Sequence, residues 1–492
     1  MPPPRSKPSL KPIQPIAPEA VVQADDSPVA AEEVAVHLVP PGPRPLPAGP
    51  VAWQVLVLAL PMLGEQVLSF LVGAVDTYLA GTISKEATVA VGTAAYLGWF
   101  VNLAFTMVGV GAAALVSRSI GARDAGTANR GLNQALWLAA LLGLVVAAGA
   151  YAGAPLLAGF LTRTPEALEL CADYLRITAL GYMLGSFNMV GGAVLRAAGD
   201  TVSPMTVMVA VNAVNVVISS GLVFGWFGIR AGVAGIAIGT LAARTFGGLL
   251  MGLLLIRGLH GLRVRAGLLR PEARTTWRIL RVGLPAAADT TLMTIAHLAF
   301  IKIIAHTGRG EIATANFAAH VIAMEVEAIS YMPALAWGTA AATLVGQYLG
   351  ARQPHLARRS GHVAALQAGL LGVGVGALFF LLAELVYALM SRDPLVQRAG
   401  VPAFRLLAFV QPFLCTGIVY INALRGAGDT RTTTAISLVC GLLLRVPVAY
   451  LGGVVLEGGL IGAWCGMWAD NLARCLLALA RFVQGGWRKV RV

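Results

Sequence analysis

The chain has 492 residues, 57% of them hydrophobic and only 12% charged, with 57 glycines and a formal net charge of +13. Soluble domains carry about 25% charged residues, so this chain has half of what a water-facing surface needs. The composition excludes a soluble domain and reads as an integral membrane protein.

In chain order, residues 1–50 come first and hold fourteen of the 26 prolines, with no apolar run long enough for a core. They read as a disordered tail with polyproline stretches. No short apolar run with a small-residue cleavage site follows, so no signal peptide is visible and the first span is expected to direct insertion. Apolar runs of spanning length then predict twelve helices, at 54–81, 90–117, 131–160, 167–194, 203–226, 232–256, 282–306, 314–346, 360–390, 399–424, 432–453 and 458–481. Each exceeds the ~20 residues a crossing needs. Cys171, Cys415, Cys440, Cys465 and Cys475 sit in apolar stretches without metal-like spacing and read as small buried hydrophobes.

Sixteen basic residues follow even-numbered spans, seven of them between Arg257 and Arg281, against six after odd-numbered spans. Basic residues mark the cytoplasmic side, so both termini are expected there. The basic stretch reads first as an orientation signal alone; alternatively Pro271–Arg281, with Trp277, Ile279 and Leu280 among arginines, forms a short helix on the inner leaflet touching anionic lipid. The expected organisation is a tail (1–50), an N-lobe (51–257), a basic linker (258–281), a C-lobe (282–485) and a basic C-terminus (486–492).

Two lobes are expected because the chain repeats. A shift of 229 residues sets LRAAGDT (195–201) on LRGAGDT (424–430), and the same shift sets AALVSRSIGAR (113–123) on ATLVGQYLGAR (342–352). One register serving two separate loops, across an even number of spans, predicts two six-helix lobes related by a pseudo-two-fold axis along the membrane normal. Such bundles enclose a cavity that rocking opens to either side in turn.

The spans also bury ionisable groups, and an acid at the bilayer centre costs ~2.5–3.5 kcal/mol on insertion scales. Glu65 and Asp76 lie eleven residues apart in the first span, within about 20° of the same face and roughly 16.5 Å apart, which predicts an interior stripe. In the eighth span Glu325 and Glu327 point to different faces; Glu327 shares its face with Tyr331, and Pro333 follows. Glu327 is therefore the expected cavity acid. Asp289 is expected at a solvated helix start. Asp470 and Arg474 form an i, i+4 pair, Arg445 precedes Pro447 at an expected helix break, and Lys302 is expected to pair with a cavity acid or snorkel outward. His297, His306 and His320 are weak proton-relay candidates.

The residues that carry a resemblance are LPMLGEQVLSFLVGAVDTYLAG (60–81), LVSRSIGARD (115–124), VLRAAGDT (194–201), ISYMPALAWGTAAATLVGQYLGA (329–351), ALRGAGDT (423–430) and GAWCGMWADNLARCLLALARFVQGGWRK (462–489). Together they resemble the multidrug and toxic compound extrusion (MATE) family over about residues 51–490. The resemblance implies an antiporter that exports organic cations and amphiphiles while protons or sodium ions run inward. It places Asp76 on a cation-coupling position, with Asn215 and Thr240 as its polar companions, and Glu65 and Glu327 on acids of one branch. Where one branch has a second aspartate in the fifth span, this chain has Ser219; other membrane acids of the family are missing from the seventh and tenth spans.

The resulting expectation is ion coupling by Asp76, Glu65, Asn215 and Thr240, with Na⁺ or H⁺ near Asp76, and substrate binding by Glu327, Tyr331, Asn188 and Trp99. Other aromatic wall candidates are Phe105, Tyr182 and Phe187. No cofactor, structural metal or nucleic-acid partner is expected; small organic cations and membrane lipid are. A flippase for a lipid-linked saccharide and an integral-membrane enzyme are the alternative classes. Against the second stands the absence of a catalytic triad motif, nucleotide loop or metal-ligand spacing in the sequence.

Overall fold

The computed structural model describes residues 46–161 and 164–490. The expected tail therefore lies, up to residue 45, outside the described residues. Among these, twelve helices follow one another: α1 (Val51–Ile83), α2 (Lys85–Gly121), α3 (Ala125–Leu161), α4 (Pro165–Ala179 continued by Tyr182–Ala197 across a 60° bend), α5 (Val202–Phe224), α6 (Gly232–Arg257), α7 (Ala273–Ile304), α8 (Glu311–Gly350), α9 (Pro354–Met390), α10 (Pro394–Gly426), α11 (Thr430–Val455) and α12 (Gly459–Gln484). Ten are long and apolar enough to cross a membrane, and the bent α4 makes eleven. The remaining one, α12, carries Asp470, Asn471 and Arg474 in its middle, and all three are buried. Charge hidden inside the bundle lowers the hydropathy of a span without exposing it to lipid.

The repeat is visible in the backbone. Arg123 and Arg352, 229 residues apart, both adopt left-handed φ values of 58° and 59°, and Gly199 and Gly428, again 229 apart, have φ of 92° and 84°. These residues close the same two turns in each half. The axis itself passes between the ends of α2 and α8. A Cβ on Gly121 would strike the Gln347 carbonyl, and a Cβ on Gly350 would strike the Arg118 carbonyl. Because 118 maps onto 347 and 121 onto 350, these are one contact seen twice, as a two-fold axis requires.

The lobes exchange parts. The first half of α1 packs into the C-lobe, where Val51, Val55, Leu58 and Met62 join a core with Leu344, Ala365 and Phe482. Gln54 there accepts a 2.6 Å hydrogen bond from the Tyr348 hydroxyl. Reciprocally, α7 lays Ile279 into the N-lobe core, and Gly283 allows its backbone to close on the Met107 carbonyl of α2. Helices α1 and α7 carry matching prolines, Pro61 and Pro285, just where each leaves the other lobe's core.

This corrects the reading of Pro271–Arg281 as a surface helix. Residues 273–304 form one continuous helix, whose Ile279 is fully buried while Trp277 is exposed on the opposite side. The segment before it is held by three amides on α3. Asn129 and Asn133 each both donate to and accept from the backbone of Gly261–Arg265, and Gln134 donates to the Leu268 and Arg270 carbonyls and accepts from Glu272 N–H. Side chains there do what a neighbouring strand would, so the connection rides with the N-lobe.

All these inter-lobe contacts lie at the end where the arginines cluster. Towards the other end each lobe has its own core, Leu79–Ala237 in one and Phe300–Met467 in the other. The conformation is thus closed at the basic end. Gly121→Leu and Gly350→Leu should destabilise this closed pairing alike, by about 1–3 kcal/mol of overpacking each, read as matched falls in the melting temperature of the purified protein. Two unequal effects, or none, would contradict a shared axis contact.

Candidate functional site

The expected residues Asp76, Asn215 and Thr240 are brought together inside the N-lobe. Asp76 is 5% exposed and Asn215 fully buried. Thr240 Oγ1 donates to Asp76 Oδ2 at 2.7 Å, Asn215 Nδ2 to Oδ1 at 3.3 Å, and the Tyr174 hydroxyl to Oδ2 at 3.5 Å. Ser219 Oγ lies 3.5 Å from Asn215 Nδ2, and Gly239 on α6 leaves room for that serine. Asp76, Tyr174, Asn215 and Thr240 lie seven to nine residues from their helices' ends on the open side, a depth of about 10–14 Å at 1.5 Å per residue.

The donors are neutral. A carboxylate usually finds an arginine or lysine when it is buried, but here Arg244, one turn beyond Thr240, acts on Asp76 electrostatically without forming an ion pair with it. Its guanidinium stacks 4.8 Å over the Tyr182 ring and leaves one buried nitrogen, Nη1, unpaired. Asn215 Oδ1 is likewise buried and unpaired. With the two carboxylate oxygens and the Thr240, Ser219 and Tyr174 hydroxyls, that oxygen makes a set of hard donors suited to a proton or a small alkali cation. The described residues contain no cluster of three or more His, Cys, Asp or Glu side chains able to hold a metal.

Sequence reasoning missed Arg244 and Tyr174. The first was readable as an in-span arginine at i+4 from Thr240; the second had no signal, since α4's bend brings it in.

Glu65 does not share this site, so the single stripe expected on α1 is corrected. Its Oε1 accepts from Arg196 Nη1 at 2.6 Å. Asp289 is corrected too: far from solvated, it is 1% exposed and paired with Arg425 at 2.7 Å. The two ion pairs are counterparts. Arg196 and Arg425 are related by the 229-residue repeat, while Glu65 and Asp289 each fall four residues after Pro61 and Pro285. The offset between the helices is 224 rather than 229, which hides the relation from a single-register comparison.

In the C-lobe, Arg474 binds Asp470 at 2.8 and 3.2 Å, as its spacing predicts, and Arg445 approaches the other Asp470 oxygen at 3.7 Å. Helix α11 is π-helical over Leu438–Arg445 and again over Leu451–Val455, the break expected around Pro447. Lys302 is exposed. Glu327 is half-buried on α8. Tyr331, 46% exposed, has Arg425, Glu327, Arg474 and Asp289 as its charged neighbours and therefore faces the interior. Asn188 is half-buried against Gly247 of α6. The Trp99 side chain lies outside the described residues. Phe105 and Tyr182 are buried together in an N-lobe core, so they are packing residues rather than cavity wall. Cys465 is exposed, unlike the other four cysteines, and all five are free.

The MatE family model matches residues 61–220 and 285–451, one segment in each lobe. The chain belongs to this family of membrane transporters, and is not an enzyme. It is 30% identical over 440 residues to the probable multidrug resistance protein NorM of Thermotoga maritima, covering 89% of this chain and 93% of that one. The multidrug resistance protein PmpM of Pseudomonas aeruginosa is 26% identical, with 89% and 92% covered. Among solved structures, an outward-facing multidrug resistance MATE family transporter matches at TM-score 0.82 and 22% identity over 90% of this chain and 98% of that one. A transporter of Pyrococcus furiosus, described as having a binding pocket of reversed polarity, matches at TM-score 0.80 and 23% identity over 89% and 95%. The twelve-helix, two-lobe architecture is therefore the family's own.

The Glu65–Arg196 pair is testable on its own. In a double-mutant cycle of Glu65→Gln and Arg196→Gln, melting temperatures should give a coupling of about 1–3 kcal/mol. Additive effects would show that the pair does not form.

Proposed function

We propose that this MatE-family transporter is a cation-driven antiporter of the bacterial inner membrane, exporting organic cations and other amphiphilic small molecules while protons or sodium ions run inward. The observation that carries the reading is Asp76: a carboxylate buried in an apolar lobe, answered only by neutral hydrogen-bond donors, with an unpaired Asn215 oxygen beside it. Such a group needs a proton or a cation to be neutral. Relatives named for multidrug resistance support the substrate class.

The basic end is cytoplasmic in this reading, by the positive-inside rule, and both termini lie there. The conformation closed at that end then opens outward. Residues 1–50 and 486–492 are cytoplasmic segments, 51–257 and 282–485 the two rocking units, and 258–281 the connection between them. An organic cation entering from inside meets Glu327, Tyr331, Asn188 and Trp99. Glu65 takes part in ion exchange when it leaves Arg196. Ion arrival at Asp76 from outside and cationic substrate in the cavity oppose one another, because both compensate the same negative charge.

The lipid-linked saccharide alternative is disfavoured by the arginines. Arg196, Arg425 and Arg474 are each tied to a carboxylate, so they do not offer a pyrophosphate-like group a free cationic wall.

Ethidium export from proteoliposomes under an imposed proton gradient or an imposed sodium gradient tests the coupling. One gradient should drive export, Asp76→Asn should abolish it, and Thr240→Val should weaken it several-fold. Unchanged gradient-driven export by Asp76→Asn would remove the proposal.

A further inference from the structure

Helices α8 and α10 run in the same direction, and their close approaches share one offset. Gly338 meets Asn422 and Ala342 meets Gly426, each 84 residues apart. Two turns further along, Cys415 Sγ reaches the Ser330 carbonyl at 3.9 Å. The same offset sets Gln411 opposite Glu327, and the two side chains are neighbours. Gln411 is fully buried, with α9 closing behind it at Gly372, yet neither its amide nitrogen nor its amide oxygen has a hydrogen-bond partner within 3.5 Å, the Glu327 carboxyl being the polar group beside it. A buried amide left open at both ends is rare in folded proteins and asks what completes it.

The third member is Arg445 on α11. It is 6% exposed, stacks 4.3 Å over the Phe300 ring, and stands 3.7 Å from an Asp470 that Arg474 already holds closely. Its Nε is unpaired, and it acts electrostatically on Glu327 as well as Asp470. It ends one π-helical segment and lies six residues before the next. Such segments lack the regular α-helical register and commonly mark functional positions. Tyr331 of α8 and Cys415 of α10 also face Glu327; Tyr331 in turn has Asp289, Arg425 and Arg474 around it, and Arg445 has Asp470, Arg474, His297 and His320.

The chemistry of the occupant follows from Gln411. A metal cation would take its oxygen but leave its N–H₂ unanswered, and Arg445 repels one. A protonated carboxyl group answers both ends, its O–H donating to Gln411 Oε1 while its carbonyl oxygen accepts from Nε2. We propose that Glu327 is a second ion-exchange group of this transporter, selective for the proton, completed as the neutral acid by Gln411 and as the carboxylate by Arg445. On ionisation the proton passes to water in the central cavity on the Tyr331 side. Arg445 then turns from Asp470 to Glu327, and Asp470 keeps Arg474, so no buried carboxylate is left alone in either state. The inference rests on the cation-coupled reading above and adds that the C-lobe carries a proton whatever ion Asp76 takes.

Infrared difference spectra of the full-length purified protein between acidic and alkaline pH test it, reading the carbonyl stretch of protonated carboxylic acids. Wild type should show such a band that disappears with rising pH. Glu327→Gln should lack it, Gln411→Leu should shift its frequency, and Asp76→Asn should keep it. An unchanged melting temperature and gel-filtration profile of Glu327→Gln verify its fold, and a Glu327→Asp variant, whose band should persist at a shifted frequency, supplies a second reading of the same group. A Glu327→Gln spectrum identical to wild type, or a wild-type band abolished by sodium at fixed pH, would overturn the proposal. If Asp76→Asn stops export while no Glu327 band exists, this inference falls and the cation-coupled reading stands.

Discussion

An ionised carboxyl group inside an apolar bundle must be compensated, and in this protein the compensation is of two kinds. Glu65, Asp289 and Asp470 are each closed by an arginine at 2.6–2.8 Å. Asp289 and Asp470 are almost fully buried, and removing one partner of such a pair typically costs several kcal/mol, so these two are held in one state, whereas the Glu65–Arg196 pair is about a fifth exposed and is held less firmly. Asp76 is different. Its partners are a threonine, an asparagine and a tyrosine, none of which brings a positive charge, and Arg244 stands off over an aromatic ring. A group left short of one charge is the group whose occupancy can change.

The scaffold around it is built to hold one closure without locking it. The lobes meet at the basic end through glycines that let carbonyls approach, through a few side-chain bonds such as Gln347 to the Ala197 carbonyl, and through the exchanged halves of α1 and α7. Cross-packed halves mean that neither lobe moves as a simple lid. In the rocking proposed above, the bending falls at Pro61 and Pro285, where each helix leaves one core for the other. Prolines there remove a backbone hydrogen bond at the place where a helix has to flex. The amide ladder of Asn129, Asn133 and Gln134 keeps the connecting segment on the N-lobe as far as Glu272.

Much of this was legible in the sequence, for physical reasons. Apolar length fixed the number of helices, since a span cannot be shorter than the bilayer, and the 229-residue repeat fixed the pairing of lobes because two loops shared it. The trio Asp76, Asn215 and Thr240 followed from resemblance, and the geometry joins them. What was not legible depends on distance between helices. The Glu65–Arg196 and Asp289–Arg425 pairs join residues over 130 apart, and the five-residue difference in offset hid their kinship. Asp289 seemed to lie at a solvated helix start only because α7 begins nine residues earlier than its apolar run. Tyr174 enters the site through the bend in α4, which no local pattern announces.

The most direct measurement of the central claim is the displacement of an ion by substrate. Ethidium is added to the purified protein in weakly buffered solution, with proton release followed by an indicator dye and sodium release by a selective electrode. Binding should expel close to one cation per protein through Asp76, and the Asp76→Asn variant should expel at least one fewer. Tight ethidium binding with no ion leaving the wild-type protein, across the pH range where it transports, would contradict the account.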